Sequence, residues 1–337
     1  MTVIRHSLLV YGGACEDSAS GAPQSSTCAY SDLHEFVLPS TPGAVGQWTR
    51  LSDNHECSKA AGNMGASQLF SGAVLATKSD DEVLVLSPHL IGGVNSFHTK
   101  ERKWSTSRCR APTLAQIQSS APQIRHMHAM VSSVDAKFLI FGGSKPSQEL
   151  LGDLQQFNFG MNQWVQVSGS SGDPPCARDK MGSASSADDL HMYIFGGRGK
   201  DGSFLNDIHV YNVSGNYWNR LFDQQDAFNS DTPSPRHSAG CALKNNSLYV
   251  FGGYGSGGAL NDLFRFDLSS SDGMTWSRVS VTGLGPSART NHVFVGLASS
   301  FLVFGGEGGD GEVLGDTHVL FPTSGRYTRW HTHASTQ

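Results

Sequence analysis

Arginine is the residue type whose placement first suggests chemistry. Arg125, Arg178, Arg236 and Arg289 each stand where a polar, proline-bearing segment gives way to an extended run, and Arg198 follows directly on Gly196-Gly197. A guanidinium presents a planar fork of donors that can hold a carboxylate by two parallel hydrogen bonds, so arginines at equivalent places form a candidate set for capturing acidic groups. The same forks can instead be taken up by nearby carboxylates of the chain, among which Asp173, Asp179, Asp231 and Glu307 are close in sequence. Tyr254, directly after Gly252-Gly253, joins the contact set, because Tyr and Arg are frequent anchors of interfaces.

Other chemistries find less support. Cys15, Cys28, Cys57, Cys109 and Cys176 fall in connections, with His55, His89, His126 and His128 near them in the same scheme. His126 and His128 share one side of a strand and could make half of a metal site, but no third ligand is fixed by spacing. His331 and His333 repeat the pattern close to the last residue. Scattered connection residues are therefore the reading adopted, and neither a metal nor another cofactor is expected. The glycines of Gly255–Gly258 follow a strand but lead into another strand, so the helix dipole of a phosphate cradle is absent. There is no strand-to-helix nucleophile elbow, phosphate loop or HExxH.

The elements that must position these residues are variations on one stretch, Phe195 to Asn219, FGGRGKDGSFLNDIHVYNVSGNYWN. A β-rich run ends in Gly196-Gly197, where the backbone needs φ > 0 and a side chain would block a neighbour. Asp207 opens the alternating run Ile208–Tyr211 and could bond N–H groups of the preceding loop, and a turn leads to Trp218. The six Trp residues, Trp48, Trp104, Trp164, Trp218, Trp276 and Trp330, recur 54 to 60 residues apart. Gly-Gly pairs fall at 12–13, 142–143, 196–197, 252–253 and 305–306. Asp32, Asp153, Asp207, Asp262 and Asp316 each precede by four residues Phe36, Phe157, Tyr211, Phe266 and Leu320. A further strand, often opened by Arg, lies ahead of the Gly-Gly strand, as in Pro233–Gly253, but none is evident ahead of the first. Four antiparallel strands in six repeats predict an all-β, six-bladed β-propeller.

This combination of Gly-Gly, an aromatic and a spaced Trp resembles the Kelch-repeat family over nearly the whole chain. The resemblance implies a propeller and, more loosely, a function, because one fold hosts many activities. Several Kelch domains that capture acidic or C-terminal peptide segments use arginines where the linker enters the innermost strand or just after Gly-Gly, so the resemblance implies such a ligand here. In a four-stranded meander A–B–C–D, the B–C and D–A connections share one end. They are the longer ones in this chain, which makes that face the expected binding surface.

The expected function is therefore a non-enzymatic module that binds an acidic or carboxylate-bearing protein or peptide on the B–C/D–A face through Arg125, Arg178, Arg198, Arg236, Tyr254 and Arg289. The alternative is a metal-dependent or accessory propeller of a lyase or hydrolase. Its motifs fit poorly. Ser270–Trp276 resembles a sialidase Asp-box with one residue missing, and Glu307–His318 has the residue types of an iron-using plant Kelch lyase accessory at other intervals. A Tyr/His/Cys set of the copper-radical oxidase kind cannot be assembled.

Composition agrees with one domain over residues 1–337. The chain is rich in Gly, with 39, and charged residues make up 16%. A net charge of −5 gives phosphate backbones little to bind, so no nucleic-acid partner is expected. No apolar run approaches the roughly 20 residues of a membrane span. The start of the chain lacks a signal-peptide core, since Leu8–Tyr11 already belongs to a repeat. Six cysteines without regular spacing read as free thiols, which suits a cytoplasmic or nuclear monomer.

Three points stay open at this level. Residues 14–31 read as a mobile insertion. The second repeat, near Ser52 to Trp104, has Ser87-Pro88 in place of Gly-Gly, with Phe97 aligned to Phe157 and Tyr211 by its distance to Trp. The first blade is completed by residues 1–6, by the segment after Trp330, or by chain beyond this sequence.

Overall fold

A computed structural model describes residues 2–4, 7–16, 27–37, 47–52, 74–79, 82–86, 94–104, 123, 125–133, 137–158, 163–223, 230–269, 274–322 and 328–333. Every regular element among them is a strand, and the strands form six sheets. The first sheet runs β1 (Thr2–Ile4), β2 (Ser7–Glu16), β3 (Thr27–Val37), β4 (Gln47–Ser52), and the second β5 (Val74–Ser79), β6 (Glu82–Leu86), β7 (Val94–His98), β8 (Lys103–Trp104). The third comprises β9 (Ala129–Ser133), β10 (Lys137–Phe141), β11 (Leu154–Asn158) and β12 (Gln163–Gln166).

The fourth sheet is built on β15 (Gly182–Ser185), β16 (His191–Gly199), β17 (Phe204–Asn212) and β18 (Tyr217–Phe222). It is extended by β14 (Arg178–Asp179) against β16 and by β13 (Ser171–Gly172), which pairs parallel to β18. The fifth is β19 (Gly240–Lys244), β20 (Ser247–Gly255), β21 (Gly258–Asp267) and β22 (Thr275–Arg278). The sixth repeats the fourth, with β25 (Val293–Gly296), β26 (Phe301–Gly308), β27 (Val313–Pro322) and β28 (Thr328–His333), plus β24 (Arg289–Thr290) and β23 (Val281–Thr282).

Each core sheet is therefore an antiparallel meander drawn from one continuous piece of chain. Thr2–Ile4 pairs with Ser7–Leu9, so the first sheet takes its innermost strand from the residues just ahead of it, the first of the three possibilities above. The second sheet is complete despite its altered motif, and Phe97 lies opposite Trp104. The insertion is shorter than expected: Ala14–Glu16 and Thr27–Tyr30 are strand, in register as Ala14↔Ala29, Cys15↔Cys28 and Glu16↔Thr27. Its remainder, 17–26, lies outside the described residues, as do Ser87-Pro88, Gly92-Gly93, 270–273 of the Asp-box, and Cys57, Cys109, His55 and His89.

The chain's contacts group it into two compact units, Met1–His126 with Phe157–Val165, and Met127–Gln156 with Gln166–Gln337. In both, the aromatic of the third strand meets the Trp of the fourth. Phe36 and Phe157 stand 5.0 and 5.1 Å from Trp48 and Trp164 in the first unit. In the second, Tyr211 and Phe266 stand 5.1 and 5.0 Å from Trp218 and Trp276, and Leu320 pairs with Trp330. In the second unit the Trp also bridges to the neighbouring sheet: Phe141 packs on Trp218, Phe195 on Trp276 and Phe251 on Trp330. This interdigitation of large side chains is where the core sits.

The Gly-Gly pairs of the third to sixth sheets meet both sequence-level requirements. Gly196 and Gly197 have φ of 59° and 104°, and a Cβ on Gly196 would lie 2.7 Å from the carbonyl oxygen of Arg236 in the next sheet. The close approach is used, because the Gly197 N–H donates to that same carbonyl at 3.0 Å. Gly143 makes the same bond to Arg178, at 2.9 Å.

Candidate functional site

The arginines sit at the seam between sheets. Arg178, Arg236 and Arg289 are buried, at most 1% exposed. Arg178 and Arg289 lie on the short strands β14 and β24 and Arg236 at the corresponding place before β19, and each points into its own sheet, where it meets the repeating Asp of the third strand. Arg178 donates to Asp207 at 2.6 and 2.8 Å, Arg236 to Asp262 at 2.5 and 3.1 Å, and Arg289 to Asp316 at 2.7 and 2.9 Å. The remaining donors are also taken. In all three, Nε–H donates to the carbonyl two residues back, Nη1 to the carbonyl of the first Gly of the pair, and Nη2 to the side chain two residues back, which is Cys176, Ser234 or Ser287. A guanidinium has five N–H groups, and all five are satisfied inside the fold.

These three arginines therefore have no donor left for a ligand, which corrects their assignment to the binding set. The ion-pair reading fits instead, although its partner is the repeating Asp of the third strand and not one of the loop carboxylates considered. Arg125 is likewise buried, and its Nε donates to the Gln123 carbonyl at 3.2 Å.

The position two residues after the Asp completes the arrangement. His209 and His318 hydrogen-bond through Nε2 to Asp207 and Asp316 at 3.1 and 2.7 Å, Gln155 donates to Asp153 at 2.6 Å, and Phe264 lies 5.4 Å beneath the Arg236 guanidinium. Burial alone would raise the Asp207 carboxyl, but hydrogen bonds from His209 and Arg178 hold it down at about 2. Asp316 is held at about 2 against its burial by Arg289 and His318.

Immediately after each buried Arg the inner strand is irregular, and two residues on comes a non-glycine in the left-handed region: Met127, Lys180, Ser238 and Asn291, with φ between 53° and 56°. Their backbones link successive sheets. Lys180 N–H donates to the Met127 carbonyl at 2.8 Å, Ser238 to Lys180 at 2.7 Å, and Asn291 to Ser238 at 3.2 Å. No glycine marks these positions, so sequence patterns gave no sign of them.

The second expected position, directly after Gly-Gly, does reach solvent. Arg198 and Tyr254 are each 40% exposed, and Glu307 occupies the equivalent place in the sixth sheet. Each lies opposite the residue that follows a buried Arg: Arg198 opposite Asp179, Tyr254 opposite His237, and Glu307 opposite Thr290. Arg198 grips the buried Asp179 at 2.8 and 3.1 Å. His237 stacks on Tyr254 with centroids 5.4 Å apart, and Phe204 meets His237 edge-on at 4.7 Å. Burial, then the charges of Lys180 and Arg198, push His237 down to about 4 despite Asp179, so this imidazole is neutral near pH 7. Lys180 and Glu307 have no ion-pair partner among the described residues.

Other candidates do not assemble. Among the described residues no group of three His, Cys, Asp or Glu is placed to hold a metal, His126 and His128 included. Cys176 is exposed, and the buried Cys241 thiol is pushed up to about 12 by desolvation. No helix among the described residues is long and apolar enough to cross a membrane.

Repeated four-stranded meanders, joined through Gly-Gly and a buried Arg–Asp pair, define a protein of the β-propeller class. The particular group follows from comparison: the KLHDC2/KLHL20/DRC7 Kelch-repeats domain matches residues 90–229 and 224–337, and the chain belongs to this Kelch-repeat family. It is 28% identical over 214 residues to host cell factor homolog hcf-1 of Caenorhabditis elegans, covering 59% of this chain and 26% of that protein. It is 30% identical over 185 residues to tip elongation aberrant protein 3 of Schizosaccharomyces pombe (46% and 16%). A leucine-zipper-like transcriptional regulator 1 homolog of Drosophila melanogaster is 27% identical over 290 residues (82% and 27%). The chain spans less than a third of the length of these relatives.

Proposed function

We propose that this chain is a non-catalytic interaction module whose six sheets are the blades of one closed propeller, and that it receives a peptide of a protein partner where the B–C and D–A connections emerge. A carboxylate of the partner is taken by Lys180 and Arg198, and Tyr254 packs against the segment beside it. The observation that carries this reading is the unpaired Lys180 ammonium standing with Arg198 around the half-exposed His237–Tyr254 stack. An ammonium that gives up little existing pairing on binding contributes more than one that must first be freed. Membership of the Kelch family and likeness to host cell factor accord with a protein partner. A monomer of the cytoplasm or nucleus, with no nucleic-acid partner, completes the proposal.

A peptide array rich in acidic and C-terminal sequences, probed with the purified protein, tests it. Binding is expected to fall at least tenfold in Lys180→Glu and in Tyr254→Ala, with thermal stability retained. Capture unaffected by both substitutions would place the partner elsewhere.

A further inference from the structure

The loop-bearing end of the fourth, fifth and sixth sheets changes charge along its length, and this change bears on what kind of segment it fits. On the fourth sheet the outward groups are Lys180, Arg198 and Lys200; of the exposed carboxylates, Asp201 is engaged by Ser203 of its own turn and Asp173, on the connection before β14, by Arg220, while Asp231 lies on the connection after the sheet. On the fifth stands Tyr254, stacked on His237, with Phe204 of the fourth sheet packed against both rings. On the sixth, Glu307, Asp310 and Glu312 are exposed within six residues, and none has an ion-pair partner among the described residues.

The three zones are continuous. His237 adjoins Ser238, whose carbonyl accepts from Asn291 N–H; the Asn291 side chain in turn donates to Glu307 at 3.3 Å. A Cβ on Gly309 would come within 3.8 Å of Ala259, so the loops of the fifth and sixth sheets also touch.

From this gradient we infer that the partner is an extended segment of mixed charge, laid across the three sheets in one fixed direction: an acidic group toward Lys180 and Arg198, an apolar or aromatic group over Tyr254, and a basic group toward Glu307, Asp310 and Glu312. A wholly acidic segment would bring like charges against the sixth-sheet loop. Such juxtaposition suppresses wrong partners and fixes register, whereas the matched order is attracted at both ends. The inference rests on the proposed peptide-binding reading and adds the basic end and the direction.

Selection from an mRNA-displayed library of random dodecapeptides, with the purified protein as bait, tests both. The expected peptides share one order of acidic, apolar and basic positions, and synthetic copies bind at least tenfold more weakly to Glu307→Lys/Glu312→Lys. In the triple variant Lys180→Glu/Glu307→Lys/Glu312→Lys, whose changes fall on side chains outside the core, reselection returns the opposite charge order. Selected peptides that are acidic throughout, with binding indifferent to Glu307 and Glu312, would overturn the mixed-charge inference and leave peptide capture standing. A library that yields no enriched sequence would overturn peptide capture itself.

Discussion

Asp316 holds Arg289 from inside the same sheet, through two hydrogen bonds of 2.7 and 2.9 Å, while the Arg289 carbonyl lies 2.9 Å from where a Cβ would stand on Gly252 of the preceding sheet. Arg289 thus fixes the first strand to the third by its side chain and faces the preceding sheet by its backbone. Arg236 and Asp262 repeat the relation around Gly196. Removing one partner leaves the other charge uncompensated in the interior.

Arg236→Ala and Asp262→Ala should each lower stability by about 3 to 5 kcal/mol, read from urea unfolding. Arg236→Met combined with Asp262→Leu should cost less than either alone, because no charge is stranded. If both single variants unfold at the wild-type midpoint, the pair is not structural.

The acid limb of stability should have two stages. His237 and His292 are held down to about 4 and about 3, His237 by burial and then Lys180 and Arg198, His292 by burial and then Arg289. Their unfolded forms gain protons from about pH 6.5 downward, before the folded forms do, so stability falls as pH drops from about 6.5 toward 3. Asp207 and Asp316, folded near 2, contribute stability that is present above about pH 4 and lost as pH falls toward 2. Urea midpoints between pH 7 and 2.5 check this, and His237→Gln should flatten the upper stage.

Trp218 is 2% exposed and touches both Tyr211 of its own sheet and Phe141 of the one before. Trp218→Ala should cost about 3 to 5 kcal/mol. A nearly neutral result would contradict the packing of these two sheets.

Gly182 and Cys241 set the spacing of the fourth and fifth sheets, since a Cβ on Gly182 would stand against the Cys241 sulfur. Gly182→Ala should lower the thermal midpoint, and adding Cys241→Ala should recover part of the loss. Additive effects in the double variant would mean that the two side chains do not compete for this space.

The strand framework was legible because its signals are local. Tyr211 and Trp218 lie close in sequence across the turn at 213–216, so one repeat's spacing predicts their register. Even the altered second repeat yields Phe97 opposite Trp104. Gly-Gly announces its positive φ by composition. The arginines were legible as a set but not in their role, because their partners stand 26 to 29 residues away, beyond the loop neighbours that proximity in sequence favours. That nearly constant interval to the repeating Asp was the signal that could have found them. At the proposed site Arg198 and Tyr254 carry a sequence signal in their position directly after Gly-Gly. Lys180 was missed, since nothing in a Lys reports a left-handed backbone.

The sheet-to-sheet links at Met127, Lys180, Ser238 and Asn291 run from backbone to backbone and ask nothing of the side chains. These positions therefore act as interchangeable slots: a substitution that tolerates the left-handed backbone can rewrite what one blade displays without disturbing how the blades are joined. A repeat built this way separates evolvability from stability, and a new partner can be acquired one blade at a time.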